Sequence, residues 1–176
     1  MAKEGRGLRM QTIVLPGFSV ANKDWVNEVK SNLNGDMVVH EWKHWVTGDE
    51  SDFVVEEEVT RVLEKIDNQK VNLLTKSIGT YIAVRLLEKE IIEKLILCGI
   101  PLGFIKKNSL HLEAYQSLAN FPAKRAICFQ NDQDPVGAYE EVEKLIHEIN
   151  PSIAVVSKPR SDHNYPYFAE FKQFLG

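Results

Sequence analysis

The sequence has only two cysteines in 176 residues, Cys98 and Cys128, each inside an apolar run (LILCGI and AICF). That excludes a disulfide framework and a thiolate metal site, and it reads as two small core residues. No apolar stretch reaches the ~18 residues a membrane-spanning helix needs, so no membrane span is expected. There is no block of like charge: 21 Lys and Arg and 25 Asp and Glu are mixed along the chain, for a net charge of −4. Without a basic patch, no nucleic-acid partner is expected. Neither G-x-G-x-x-G after the first apolar run nor G-x-x-x-x-G-K-[ST] occurs, so a nucleotide-binding reading has no motif to rest on. His40 and His44 are four apart but lie in or just after a strand, with no cysteine or carboxylate cluster beside them. Neither metal nor cofactor is expected. The start, MAKEGRGLRM, is charged and lacks the apolar segment of a secretory signal. A cytoplasmic protein is expected, with residues 1–10 flexible.

What is present is an alternation of apolar runs and helical patterns. Hydrophobic content of 44% and charged content of 26% are those of an ordinary globular chain. The length suits one domain over residues 1–176. Strands are expected at Thr12–Leu15, from Met37 to Val39, and at Val71–Leu74, Leu95–Gly99, Ala126–Phe129 and Ile153–Val156. Helices are expected around Trp25, Val29 and Leu33, across Val55–Ile66, from Ile78 to Leu87, over Val142–Ile149 and over Tyr165–Leu175. The run Glu56-Glu57-Glu58 reads as a solvated helix face. The strand runs are continuously apolar rather than alternating. That marks strands buried on both sides, hence a three-layer α/β fold of about six parallel strands with helices on both faces.

Such sheets place their sites beyond the carboxyl ends of the strands. Pro16-Gly17-Phe18-Ser19 follows the first strand and Glu41-Trp42-Lys43-His44-Trp45 the second. Thr75-Lys76-Ser77 follows the third, Asn131-Asp132-Gln133-Asp134 the fifth and Ser161-Asp162-His163 the sixth. A serine, an acid and a histidine thus stand at three strand ends, in the order Ser…Asp…His. A serine at such a corner is often only a helix cap. Three partners at the right ends are harder to reach by chance.

Thr75-Lys76-Ser77-Ile78-Gly79 resembles the G-x-S-x-G nucleophile elbow of the α/β-hydrolase family. Gln130 to Val136 (QNDQDPV) resembles that family's acid loop, and Ser161 to Pro166 (SDHNYP) its histidine loop. The likeness runs from Thr12 to Leu175. It is to small, lid-poor members such as the retinoblastoma-binding-protein-9-like and small bacterial hydrolases. Two positions depart from the pattern: Thr75 stands where the first elbow glycine is usual, and Pro16-Gly17 stands where His-Gly is.

The chemistry assigns roles. A serine hydroxyl is a weak nucleophile until a base takes its proton, so Ser77 needs His163, and His163 needs an acid to hold its tautomer. Asp134 is preferred because it carries the Asp-Pro-Val pattern. Asp132 is its competitor, and Asp162 adjoins His163 too closely to reach the far ring nitrogen. The resemblance implies an oxyanion hole from the backbone N–H groups of Phe18 and Ile78. Trp42, Trp45, Leu102 and Phe104 are candidate pocket residues, although the two tryptophans read more readily as packing. Lys76, next to the serine on a tight turn, is expected to face solvent or a carboxylate. Residues 102–122 are either a covering helix or a minimal lid.

The expected function is a serine hydrolase that cleaves a small ester, thioester or amide through an acyl-enzyme on Ser77. A small-molecule ester would be the substrate, and the protein a monomer or homodimer. The rival is a non-catalytic protein that keeps the fold as a binding scaffold.

Overall fold

The computed structural model describes residues 10–176. The flexible lead expected over residues 1–10 lies outside the described residues, except for Met10. Six strands form one parallel sheet: β1 (Thr12–Leu15), β2 (Met37–Val39), β3 (Val71–Lys76), β4 (Ile92–Cys98), β5 (Ala126–Asn131) and β6 (Ala154–Lys158). Their order across the sheet is β2-β1-β3-β4-β5-β6. β3 therefore lies centrally, between β1 and β4. The chain winds outward to β2 on one side and to β6 on the other.

Among the described residues, seven α-helices connect and cover the strands: α1 (Asn22–Asn32), α2 (Lys43–Thr47), α3 (Val55–Ile66), α4 (Ile78–Val84), α5 (Leu102–Lys107), α6 (Tyr139–Ile149) and α7 (Phe168–Leu175). Strand side chains alternate between two apolar layers, as the pleat requires. Ile13, Leu15, Leu73, Leu95 and Leu97 join Val62, Ile82 and Ile146 of α3, α4 and α6 on one face. Val14, Leu74, Ile96 and Phe129 join Trp25 and Val29 of α1 and Phe171 of α7 on the other. This is the expected three-layer arrangement of six parallel strands with helices on both faces.

The departures from expectation have local causes. β3 runs two residues further than its apolar run, because Thr75 and Lys76 still pair with Leu97 and Cys98 of β4. α4 ends at Val84 and α7 begins at Phe168, each shorter than its apolar spacing suggested. α2 is five residues long, too short for a periodic signal. Glu58 is not part of a solvated face; it is wholly buried. Its position is four residues before Val62 and eight before Ile66, which puts it on the inward stripe of α3.

Candidate active site

Ser77 occupies the corner between β3 and α4 with φ 55° and ψ −124°. A non-glycine residue there costs on the order of 1–3 kcal/mol and persists only where its surroundings enforce it. The enforcement is visible. Ser77 N–H donates to Cys98 O at 2.8 Å, and Ser77 O accepts from Thr80 N–H at 2.8 Å. Thr80 Oγ1 also donates to Ser77 O at 2.7 Å. The Ser77 side chain makes no capping bond to α4, so the helix-cap reading of this serine does not describe it.

The two ends of the elbow motif meet different demands. A Cβ on Gly79 would lie 2.1 Å from Leu15 O and 2.9 Å from Pro16 O. Backbone passes there, so only glycine fits. Thr75 is fully buried, and its hydroxyl donates to Ile96 O at 2.7 Å. It is not among the positive-φ residues. The corner's unusual torsion falls on Ser77, so a threonine is accommodated where the family pattern has glycine.

Asp134 is buried after β5, and its carboxylate has three hydrogen-bond partners. Oδ2 lies 2.6 Å from His163 Nδ1 and accepts from Tyr165 Oη at 2.5 Å. Oδ1 accepts from Val136 N–H at 2.8 Å. The competitors lie elsewhere: Asp132 is exposed and bonds the Ser157 hydroxyl, and Asp162 is exposed and paired with Arg160. Asn131, buried, donates from Nδ2 to Asp162 O and Asn164 O at 2.8 Å each and so pins the histidine loop. At Gly99 a Cβ would lie 2.5 Å from Tyr165 Cε2 and 3.0 Å from His163 Cε1. The missing side chain lets both rings settle over the end of β4, beside Cys98, whose carbonyl holds Ser77. His163 Nε2 is buried there, with no hydrogen-bond partner among the described residues. The structure thus brings His163 and Asp134 together and sets Ser77 nearby, with the Ser77–His163 bond unmade.

Phe18 and Ile78 stand at the ends of the two backbone segments that meet at Gly79. Among the described residues, neither backbone N–H donates to a protein carbonyl. The carbonyls of Gly17, Phe18 and Ser19 in the same loop are engaged. Gly17 O accepts from Trp42 Nε1 at 2.9 Å. Phe18 O accepts from Trp45 Nε1 at 2.7 Å and lies 2.8 Å from His44 Nε2. Ser19 O accepts from Asn22 Nδ2 at 2.9 Å. Of the four candidate pocket residues, Trp42, Trp45 and Leu102 are buried. The two indoles turn inward to reach those carbonyls. Phe104 is half-buried, its ring 5.5 Å from that of Phe18. Phe53 packs edge-on to Phe18 at 5.2 Å.

Lys76 does not face solvent. It is 7% exposed, donates to Asn22 Oδ1 at 2.7 Å and lies 5.6 Å from the Trp25 ring centre. Strand alternation explains this: Lys76 shares the face of Leu74, against α1. Burial lowers its pKa from the usual lysine range.

A second buried cluster, unforeseen from sequence, supports the tryptophans. Glu58 Oε2 lies 2.7 Å from His40 Nε2 and accepts from Arg61 Nη1 at 2.7 Å, while Oε1 accepts from Lys43 N–H at 2.8 Å. Burial, the largest effect, holds the His40 pKa below its ordinary value. Burial pulls the other way on Glu58, but the His40 and Lys43 donors and Arg61 outweigh it and keep its pKa low. Among the described residues no cluster of histidine, cysteine and carboxylate side chains could hold a metal. No helix there is long and apolar enough to cross a membrane.

Residues 102–122 form α5 and a run of 3-10 turns (Leu112–Asn120) packed along α4. Tyr115, fully buried, meets Thr80 Oγ1 at 2.7 Å, and Ser117 Oγ donates to Val84 O at 2.7 Å. Two hollows, of about 450 and 970 Å3, lie elsewhere. Their linings include Thr12, Met37 and Asn72 in one and Ile92 in the other, at the amino ends of the strands, away from Ser77.

No family model matches the sequence, and no curated protein matches it. Solved structures do match the fold. Alpha/beta hydrolase domain-containing protein 10 from mouse aligns over 99% of this chain and 88% of its own, at 12% identity and a TM-score of 0.64. A lid-less α/β serine hydrolase from Xanthomonas campestris aligns over 96% and 79%, at 16% identity and 0.58. A Bacillus cereus carboxylesterase aligns over 98% and 91%, at 15% identity and 0.60. The fold of this chain is that of the α/β-hydrolases, in a small form.

Proposed function

We propose, with this fold as premise, that the chain is a serine hydrolase that cleaves a small ester, thioester or amide through an acyl-enzyme on Ser77. The observation that carries the reading is the strained Ser77 corner beside a His163 ring whose Nδ1 is held by buried Asp134. The fold similarity to esterases supports it. In the reaction, Ser77 Oγ attacks the substrate carbonyl carbon while His163 Nε2 takes its proton. Asp134 keeps the proton on Nδ1 and stabilises the imidazolium. The carbonyl oxygen, now negative, takes hydrogen bonds from Phe18 N–H and Ile78 N–H. The tetrahedral adduct collapses, and His163 protonates the departing oxygen, sulfur or nitrogen. Water, deprotonated by the same ring, then releases the acid.

The unmade bond between Ser77 Oγ and His163 Nε2 is the observation on which the scaffold reading rests. Such bonds often tighten only in the substrate complex. A chain-length series of p-nitrophenyl esters separates the two. The hydrolase reading expects turnover that Ser77→Ala abolishes. Turnover absent from folded protein, or unaffected by Ser77→Ala, overturns it.

A further inference from the structure

Phe18 is flanked by two peptide planes, and both are anchored through their carbonyls by side chains of one short segment, Trp42–Trp45. The first plane joins Gly17 and Phe18. Its carbonyl accepts from the buried Trp42 Nε1 at 2.9 Å. The second joins Phe18 and Ser19. Its carbonyl accepts from Trp45 Nε1 at 2.7 Å, with His44 Nε2 at 2.8 Å. The His44 ring also stacks on that of Phe18, with centroids 4.3 Å apart and planes at 21°.

The consequence follows from peptide geometry. A trans peptide is planar, so its C=O and N–H point in opposite directions. Holding Gly17 O therefore fixes the direction of Phe18 N–H. Gly17 is the residue least able to fix it alone, since glycine has no Cβ to restrict the torsion on that side. Without an anchor, the Gly17–Phe18 plane can swing and turn its N–H away. The anchoring segment is itself braced. Glu58 accepts from Lys43 N–H and contacts His40, and the His40 ring packs edge-on to Trp42 at 4.8 Å.

We propose that Trp42 is a positioning residue of the oxyanion hole, whose indole N–H orients the Phe18 N–H toward the developing negative charge, with Trp45 and His44 fixing the plane that follows. This rests on the hydrolase reading above. It assigns to the tryptophans a role in rate rather than in substrate choice, because their rings are buried and their N–H groups face the backbone.

The test removes the donor and keeps the shape. Trp42→Phe deletes the N–H; replacement of Trp42 by benzothienylalanine keeps the bicycle and puts sulfur in place of the N–H. The readouts are kcat and KM for a p-nitrophenyl ester, per active site titrated with a fluorophosphonate, and the affinity of a boronic acid that mimics the tetrahedral adduct. Removing an oxyanion donor outright costs about 10²–10³ in rate, so misorienting one should lower kcat by about ten- to a hundred-fold. KM should stay within about twofold, and boronate affinity should fall by the same factor as kcat/KM. A purely structural role would lower the titrated fraction and the melting temperature, with kcat per site unchanged. That result overturns the inference. Should Trp42→Phe not fold, the benzothienylalanine protein decides by the same criteria. Wild-type protein that neither turns over nor titrates overturns the hydrolase reading and this inference with it. Active wild type with a variant of equal kcat per site overturns this inference alone.

Discussion

Gly79→Ala is the substitution on which the backbone geometry bears most sharply. Its Cβ would sit 2.1 Å from Leu15 O, 2.7 Å from Leu15 C and 2.9 Å from Pro16 O, and ordinary contact begins near 3.4 Å. The end of β1 and the first turn of α4 must then part by about 1.3 Å, and no flexible side chain can absorb the movement. Overpacking of this kind costs about 1–3 kcal/mol, and contact with two main-chain oxygens puts Gly79→Ala at the upper end. The same separation moves the Phe18 and Ile78 N–H groups apart, since one follows β1 and the other opens α4. A misplacement of ~1 Å can cost about 10²-fold in rate. Urea titration gives the first quantity, and the rate of fluorophosphonate reaction at Ser77 gives the second. A Gly79→Ala protein within about 0.5 kcal/mol of wild type and labelled at the wild-type rate would refute the reasoning.

Other expectations are as direct. Asp134→Asn should cut esterase turnover by about 10⁴-fold by disfavouring the required His163 tautomer, whereas Asp132→Asn should leave turnover near wild type; the reverse pattern would move the acid to Asp132. Thr75→Gly should lower stability by about 1–2 kcal/mol in urea titration, because it removes a buried hydrogen bond and adds strand entropy, and should bring no gain in rate. Stability should fall on acidification through pH 6.5. Burial holds the His40 pKa below that ordinary value, so the unfolded chain takes up this proton first. The slope from one proton is at most about 1.4 kcal/mol per pH unit. His40→Gln should flatten it in urea midpoints measured from pH 7.5 to 5; an unchanged slope would remove His40 as the cause.

The sequence exposed the frame of the site more readily than its supports. Continuous apolar runs marked the parallel strands, and three chemically matched residues at three strand ends marked the edge where the structure places Ser77, Asp134 and His163. Glu58 escaped notice because a run of three glutamates reads as solvent-facing, although its spacing to Val62 and Ile66 already pointed inward. Lys76 escaped for a similar reason: strand alternation puts it with Leu74, against Trp25, despite its charge. The roles of Trp42 and Trp45 could not be read at all. They depend on α2, a five-residue helix with no period of its own, and on carbonyls that lie 25 and 27 residues away in the chain. Asn131 and Tyr165 sat inside segments already singled out, but only the folded loops show what they hold.

The central claim is that Ser77 is a nucleophile activated by His163. Reaction of the folded protein with a fluorophosphonate, followed by tryptic mapping of the Ser77–Arg85 peptide, addresses it most directly. A single adduct on Ser77 is expected, lost in Ser77→Ala and strongly slowed in His163→Ala. No adduct on Ser77 in folded wild-type protein, or an adduct formed as fast without His163, would contradict it.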